Sequence, residues 1–113
     1  MKDYLFLFRG GDRSGLSPEE LQKNMEKWGD WIKGLATAGK FKGGEPLGAE
    51  SKVVKGKKKV VTDGPFAESK EMVGGYLIVT AKDINEATEI AKTCPIYELD
   101  GITEVREIHH MDM

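Results

Sequence analysis

The sequence holds one cysteine, Cys94, only four prolines, and no apolar run near the roughly 18 residues that a membrane-spanning helix requires. A lone cysteine excludes an intramolecular disulfide and points to a reducing, cytoplasmic setting. The opening MKDYLF has no apolar stretch of the kind that marks a secretory signal. Charge of one sign is lacking too: 17 basic residues stand against 19 acidic ones, a formal net charge of −2. An autonomous DNA-binding module would show a basic excess, so no nucleic-acid partner is expected, and no membrane partner. Spaced cysteine and histidine ligands for zinc are absent, and the loop at Gly10-Gly11 is no phosphate-cradling GxxxxGK[ST] motif. No metal and no cofactor are therefore expected.

What remains is ordinary globular material. With 39% hydrophobic and 32% charged residues over 113 positions, the chain has apolar content enough for one core. A single domain over residues 1–113 follows. Tyr4-Leu5-Phe6-Leu7-Phe8 is apolar at every position and reads as a strand buried on both faces. Ser17-Pro18-Glu19-Glu20 carries a capping box with proline at the first helical position. Leu21, Met25, Trp28, Ile32 and Leu35 then follow the spacing of one helical face, and Gly39 is placed for a left-handed cap.

Phe41–Leu47 predicts a second strand, with Gly43-Gly44 marking a bulge or a close backbone approach. Residues 51–55 and 58–62 flank Gly56-Lys57 as a hairpin with a tight turn. Residues 74–80 predict another doubly apolar strand. Asp83 caps a second helix bearing Ile84, Ala87, Ile90 and Ala91, stopped before Pro95. Residues 103–109 predict the last strand. Without the hairpin, the order is the βαββαβ of a ferredoxin-like α+β fold with an antiparallel sheet. Two helices cover one face of such a sheet. Apolar residues at both parities on two strands therefore predict a homodimer through the open face, or a small-molecule ligand lying in a cavity there.

The run Thr62-Asp63-Gly64-Pro65-Phe66-Ala67-Glu68-Ser69-Lys70-Glu71, followed by Gly74-Gly75-Tyr76-Leu77-Ile78, closely resembles the motif of the DGPF, or YCII-related, family. Trp28, Trp31, Gly39, Gly44-Glu45-Pro46-Leu47, Ala87, Ala91, Pro95 and Glu104-Val105-Arg106 match family features in order. Glu107 stands where the family commonly has proline. The resemblance implies a dimeric α/β barrel but no particular reaction. Related domains sit beside sigma-factor regions in some bacterial proteins, which keeps a non-catalytic regulatory role open beside an enzymatic one.

Candidate site residues each carry two readings. Asp63-Gly64-Pro65-Phe66 works as a rigid corner, with Asp63 in an Asx-turn and Phe66 anchored in the core. The same corner would present Asp63, with Glu68 and Lys70, to a cavity, where a carboxylate against apolar walls serves as a general base. Trp31, about 60° from Trp28 around the helix, lines either the core or a ligand pocket. His109 is a candidate acid–base group and Arg106 a candidate anion contact. Adjacent His109 and His110 would point to opposite faces of a strand and so share no ion. Lys52, Lys55, Lys57, Lys58 and Lys59 guard an exposed hairpin against edge pairing, or attract an acidic partner or nucleic acid. The expected activity is metal-independent acid–base chemistry on a small molecule, or none.

Overall fold

A computed structural model describes residues 1–11, 13–64 and 71–111. The elements are β1 (Lys2–Arg9), α1 (Pro18–Thr37), β2 (Phe41–Pro46), β3 (Lys52–Lys55), β4 (Val60–Asp63), β5 (Val73–Ala81), α2 (Ile84–Ala91), a 3₁₀ helix (Pro95–Leu99) and β6 (Ile102–Glu107). Four strands form an antiparallel sheet in the order β2-β5-β1-β6, and β3 pairs with β4 as a separate ribbon. Setting the ribbon aside, the fold is ferredoxin-like.

Both ends of α1 are closed by local chemistry. The Ser17 hydroxyl accepts from the Glu20 amide, and the Glu20 carboxylate accepts from the Ser17 amide. The Ser17 backbone amide foremost, and then the Ser17 hydroxyl, hold the Glu20 carboxyl below its usual range. At the other end Gly39 takes a φ of 73°, its amide donates to Ala36, and the Lys40 amide donates to Leu35. This is a Schellman closure, and glycine supplies its left-handed residue without steric cost.

The side-chain alternation of β1 sorts the sheet into two faces. Tyr4, Phe6 and Phe8 are buried, and their register partners Val79 and Leu77 on β5 join them. Leu35 of α1 and Ala87 and Ala91 of α2 complete that core, with Trp28, Trp31, Ile32 and Ile90 packed against it. Both helices therefore cover one face. On the other face Leu5, Leu7, Tyr76 and Ile78 are half-buried. The double burial predicted for β1 and β5 is thus completed on one side only, because among the described residues no helix lies over the second.

Two local expectations are corrected. Met25 is exposed, while Asn24 is buried. The buried face of α1 is centred near Trp28 and Leu35, which puts Met25 about 80° off at the 100° helical step. The hairpin turn spans four residues, Gly56–Lys59, rather than two. Pairing Lys55 with Val60 keeps all four β-branched valines in strands and leaves Lys57, Lys58 and Lys59 in the turn. α2 does stop before Pro95, at Ala91, and from Pro95 the chain winds into a 3₁₀ helix tied back by the Tyr97 hydroxyl donating to the Ala91 carbonyl at 2.8 Å.

The glycine pair of β2 divides its expected roles. The register slips between Phe41 and Gly43, which is the bulge. A Cβ on Gly44 would lie 2.6 Å from the Tyr76 carbonyl oxygen, whereas one on Gly43 would meet nothing within 4 Å. Gly44→Ala should therefore destabilise the protein by about 1–3 kcal/mol in urea unfolding, as overpacking against backbone does. Gly43→Ala should stay within about 0.5 kcal/mol of wild type. Equal losses at the two positions would remove the close-approach account.

Candidate functional site

Phe8 at the end of β1 meets the middle of α1, and there the aromatic residues gather. Its ring packs edge-to-face on Trp28 at 5.1 Å and on Trp31 at 6.3 Å, and the two indoles stand 5.7 Å apart. Such pairs contribute about 0.5–1.5 kcal/mol each beyond their burial. The Trp31 Nε1–H donates to the Thr93 hydroxyl at 2.7 Å, and that hydroxyl donates to the Ile90 carbonyl at 2.6 Å. Trp31 thereby ties α1 to the end of α2 as well as joining the aromatic cluster.

Its neighbour behaves differently. The Trp28 Nε1 is buried with no hydrogen-bond partner, and the same holds for both amide atoms of Asn24 and for the Thr103 hydroxyl. Asn24 and Trp28 are four residues apart on one face of α1, and Asn24 is 5% exposed. Thr103 lies directly opposite Phe8 on β6, so it shares the helix-covered face. Phe8 links these four polar atoms into one seam: Trp28, one turn after Asn24 on α1, packs on its ring, and Thr103 is its cross-strand neighbour on β6. Each costs roughly 1–3 kcal/mol while unsatisfied. Together they offer neutral donors and acceptors beside three aromatic rings.

The predicted site residues fall elsewhere, apart from Trp31. Asp63 ends β4 on the ribbon, its carboxylate 83% exposed and paired with Lys52. That pair is a surface contact and contributes at most about 1 kcal/mol, while the residues that would close the expected Asx-turn, from Pro65 on, lie outside the described residues. His109 lies past the end of β6, is 83% exposed, and stands 3.2 Å from the Glu107 carboxylate. His110 stands 3.0 Å from the Asp3 carboxylate. The two histidines leave the strand before they diverge, so the alternation argument does not apply to them. Arg106 lies on the open face opposite Leu5, largely exposed, with Glu104 bridging it and Arg9. Glu68, Lys70, Pro65 and Phe66 lie outside the described residues. Among the described residues no bond joins Asp63 to His109, and no three His, Cys, Asp or Glu side chains are grouped to hold a metal ion.

Sequence reading missed Asn24 and Thr103. The signal for Asn24 was present: with Leu21, Trp28 and Leu35 it marks one helical stripe, and a polar residue there is the anomaly. An open depression over the start of α2, lined by Lys82, Asp83, Asn85, Glu86, Thr88 and Glu89, has less to offer. The Asp83 carboxylate already accepts from the Glu86 amide, and Glu86 accepts from the Lys82 amide and the Lys40 ammonium.

Fold and topology define an α+β protein of the dimeric α/β-barrel type, and the family follows from the sequence. The chain belongs to the YCII-related domain family, whose model matches residues 4–112. Among solved structures it is similar to the 5-chloro-2-hydroxyhydroquinone dehydrochlorinase TftG from Burkholderia phenoliruptrix AC1100, in complex with 2,5-dihydroxybenzoquinone. The likeness covers 96% of this chain and 95% of that one at 23% identity, with a TM-score of 0.57. No curated protein matches the chain significantly. Among the described residues, no helix is long and apolar enough to cross a membrane.

Cys94, beside this seam at the entry to the 3₁₀ helix, is buried, and that burial pushes its thiol up to about 12. A native thiol in that state should resist a disulfide reagent at pH 8 and react once urea unfolds the chain. The unfolded thiol ionises near 9.0. Its contribution to stability is therefore full below pH 9 and is lost as pH rises towards 12. Comparing urea midpoints of wild type and Cys94→Ala across that window isolates the effect, and parallel curves would refute it.

Proposed function

We propose that this protein binds a small, flat, oxygen-bearing molecule at the seam between α1 and the sheet, held by Asn24, Trp28 and Thr103 and walled by Phe8 and Trp31. The observation that carries this reading is the set of four buried, unpartnered polar atoms beside the aromatic cluster. Natural folds seldom leave such atoms unpaired without a water, ligand or catalytic reason. All three side chains are neutral, which suits hydroxyl and carbonyl oxygens better than a full charge. A dihydroxybenzoquinone, the compound held by the similar dehydrochlorinase, has that chemistry.

The working unit we propose is a homodimer through the open sheet face, where Leu5, Leu7, Tyr76 and Ile78 form an uncovered apolar stripe. Asp63, His109 and Arg106 would enter an acid–base reaction only where the second chain encloses them, since each is exposed in one chain. Glu68 and Lys70 would join them through the same loop. Metal-independent proton transfer is the reaction class this arrangement suits.

The binding test uses 2,5-dihydroxybenzoquinone and a panel of di- and trihydroxybenzenes in a thermal-shift titration. Wild type should show a rise in melting temperature that grows with probe concentration, since ligand at about 100 times its Kd adds roughly 2.7 kcal/mol. Asn24→Leu and Thr103→Val should abolish the shift. Asn24→Leu should also raise the melting temperature of the free protein, because it removes an unsatisfied amide. A less stable, still-binding Asn24→Leu variant would overturn the reading, and silence across the panel would favour a non-catalytic regulatory domain. Light scattering at micromolar concentration should give twice the 12.5 kDa chain mass, with Leu7→Lys reverting to monomer.

A further inference from the structure

The ribbon of β3 and β4 does not behave like part of a finished monomer. Every residue of both strands is exposed. That includes Val53 at 42%, Val54 at 63%, Val60 at 54% and Val61 at 60%. Val54 stands directly opposite Val61, and Val53 opposite Thr62. Alternation puts Val54 and Val61 on one face of the ribbon, beside Lys52 and Asp63, and Val53 and Val60 on the other, beside Lys55 and Thr62, so each face carries an exposed valine pair. An isolated two-stranded hairpin is marginal at best in water and needs packing against another element. Here both faces are bare, and the chain's radius of gyration of 15.7 Å exceeds the roughly 13 Å of a compact body this long.

Charge narrows the occupant. Residues 52–63 carry five lysines against one aspartate, a net of +4, which leaves −6 on the rest of a chain whose total is −2. The ribbon is basic and the body of the same chain is acidic, so a second copy offers the complement. Apolar area points the same way. On the open sheet face Leu5, Leu7, Tyr76 and Ile78 stand among the charged Arg9, Glu104 and Arg106, and the four exposed valines of the ribbon would enlarge the apolar contact of a sheet-face dimer.

We infer that the β3–β4 ribbon is an exchange arm, which packs its valines and lysines against the body of a second copy and completes the dimer. The inference rests on the homodimer proposed above and adds the element that makes it stable. In a two-fold dimer each arm grips the other chain, so one substitution acts twice.

The test compares wild type with Val54→Lys/Val61→Lys by analytical ultracentrifugation over a dilution series, with far-UV circular dichroism confirming the fold. A second variant, Lys55→Glu/Lys58→Glu, separates charge from apolar contact. Wild type should be dimeric, the valine variant should dissociate at a concentration at least tenfold higher, and the charge variant should weaken the dimer more at low salt than at high salt. Amide exchange at Val54 and Val61 should slow as wild type is concentrated. A wild-type dimer unmoved by the valine variant would overturn the arm and leave the sheet-face dimer standing. A monomeric wild type would overturn both. Binding of the charge-intact ribbon to a DNA duplex, with the dimer insensitive to every ribbon variant, would replace the second copy with a nucleic-acid partner.

Discussion

One constraint shapes the rest of this molecule: a four-stranded sheet with only two helices to cover it. Tyr4, Phe6 and Val79 reach complete burial because α1 and α2 lie over them. The same strands carry Leu5, Leu7 and Ile78 on the reverse, which no helix among the described residues covers. The core is therefore one layer deep, about as thick as a helix on a sheet allows, and the least extent of the molecule is 19 Å. Apolar surface left on that scale at both the sheet and the ribbon is what drives association in general.

Within the covered layer, packing and polarity compete at α1. The helix brings Leu35 and Trp28 to the sheet, and with them Asn24, which an apolar residue of similar size would replace at a gain in stability. Retaining an amide, an indole N–H and a hydroxyl without partners in a stack of aromatic rings runs against folding alone. Such local conflict is where functional sites are expected in otherwise consistent sequences.

Most of the fold was legible in the sequence because its signals are local. The capping box at Ser17–Glu20, Asp83 before α2, the stop before Pro95 and the glycine closure at Gly39 each depend on neighbours a few residues away. Strand order followed from the alternation of elements. The site was less legible because it depends on which residues meet across elements. Asn24 and Thr103 are 79 positions apart, and no local pattern says that both end without a partner. Conversely Asp63 stood out through its motif, yet in one chain it lies on an exposed ribbon paired with Lys52. Met25 was misplaced by one helical position, which is all that separates an exposed thioether from a buried amide.

The double closure of α1 has a mechanical consequence. A helix held by a capping box at Ser17 and a Schellman turn at Gly39 cannot readily lengthen, unwind or slide in register. Its 20 residues are fixed at both ends. A molecule entering beneath Trp28 would tilt the helix between those ends, and the tilt would be relayed through the Trp31–Thr93 bond to the end of α2. Occupancy of the seam would then be felt at the far helix as a change of angle rather than as a change of shape.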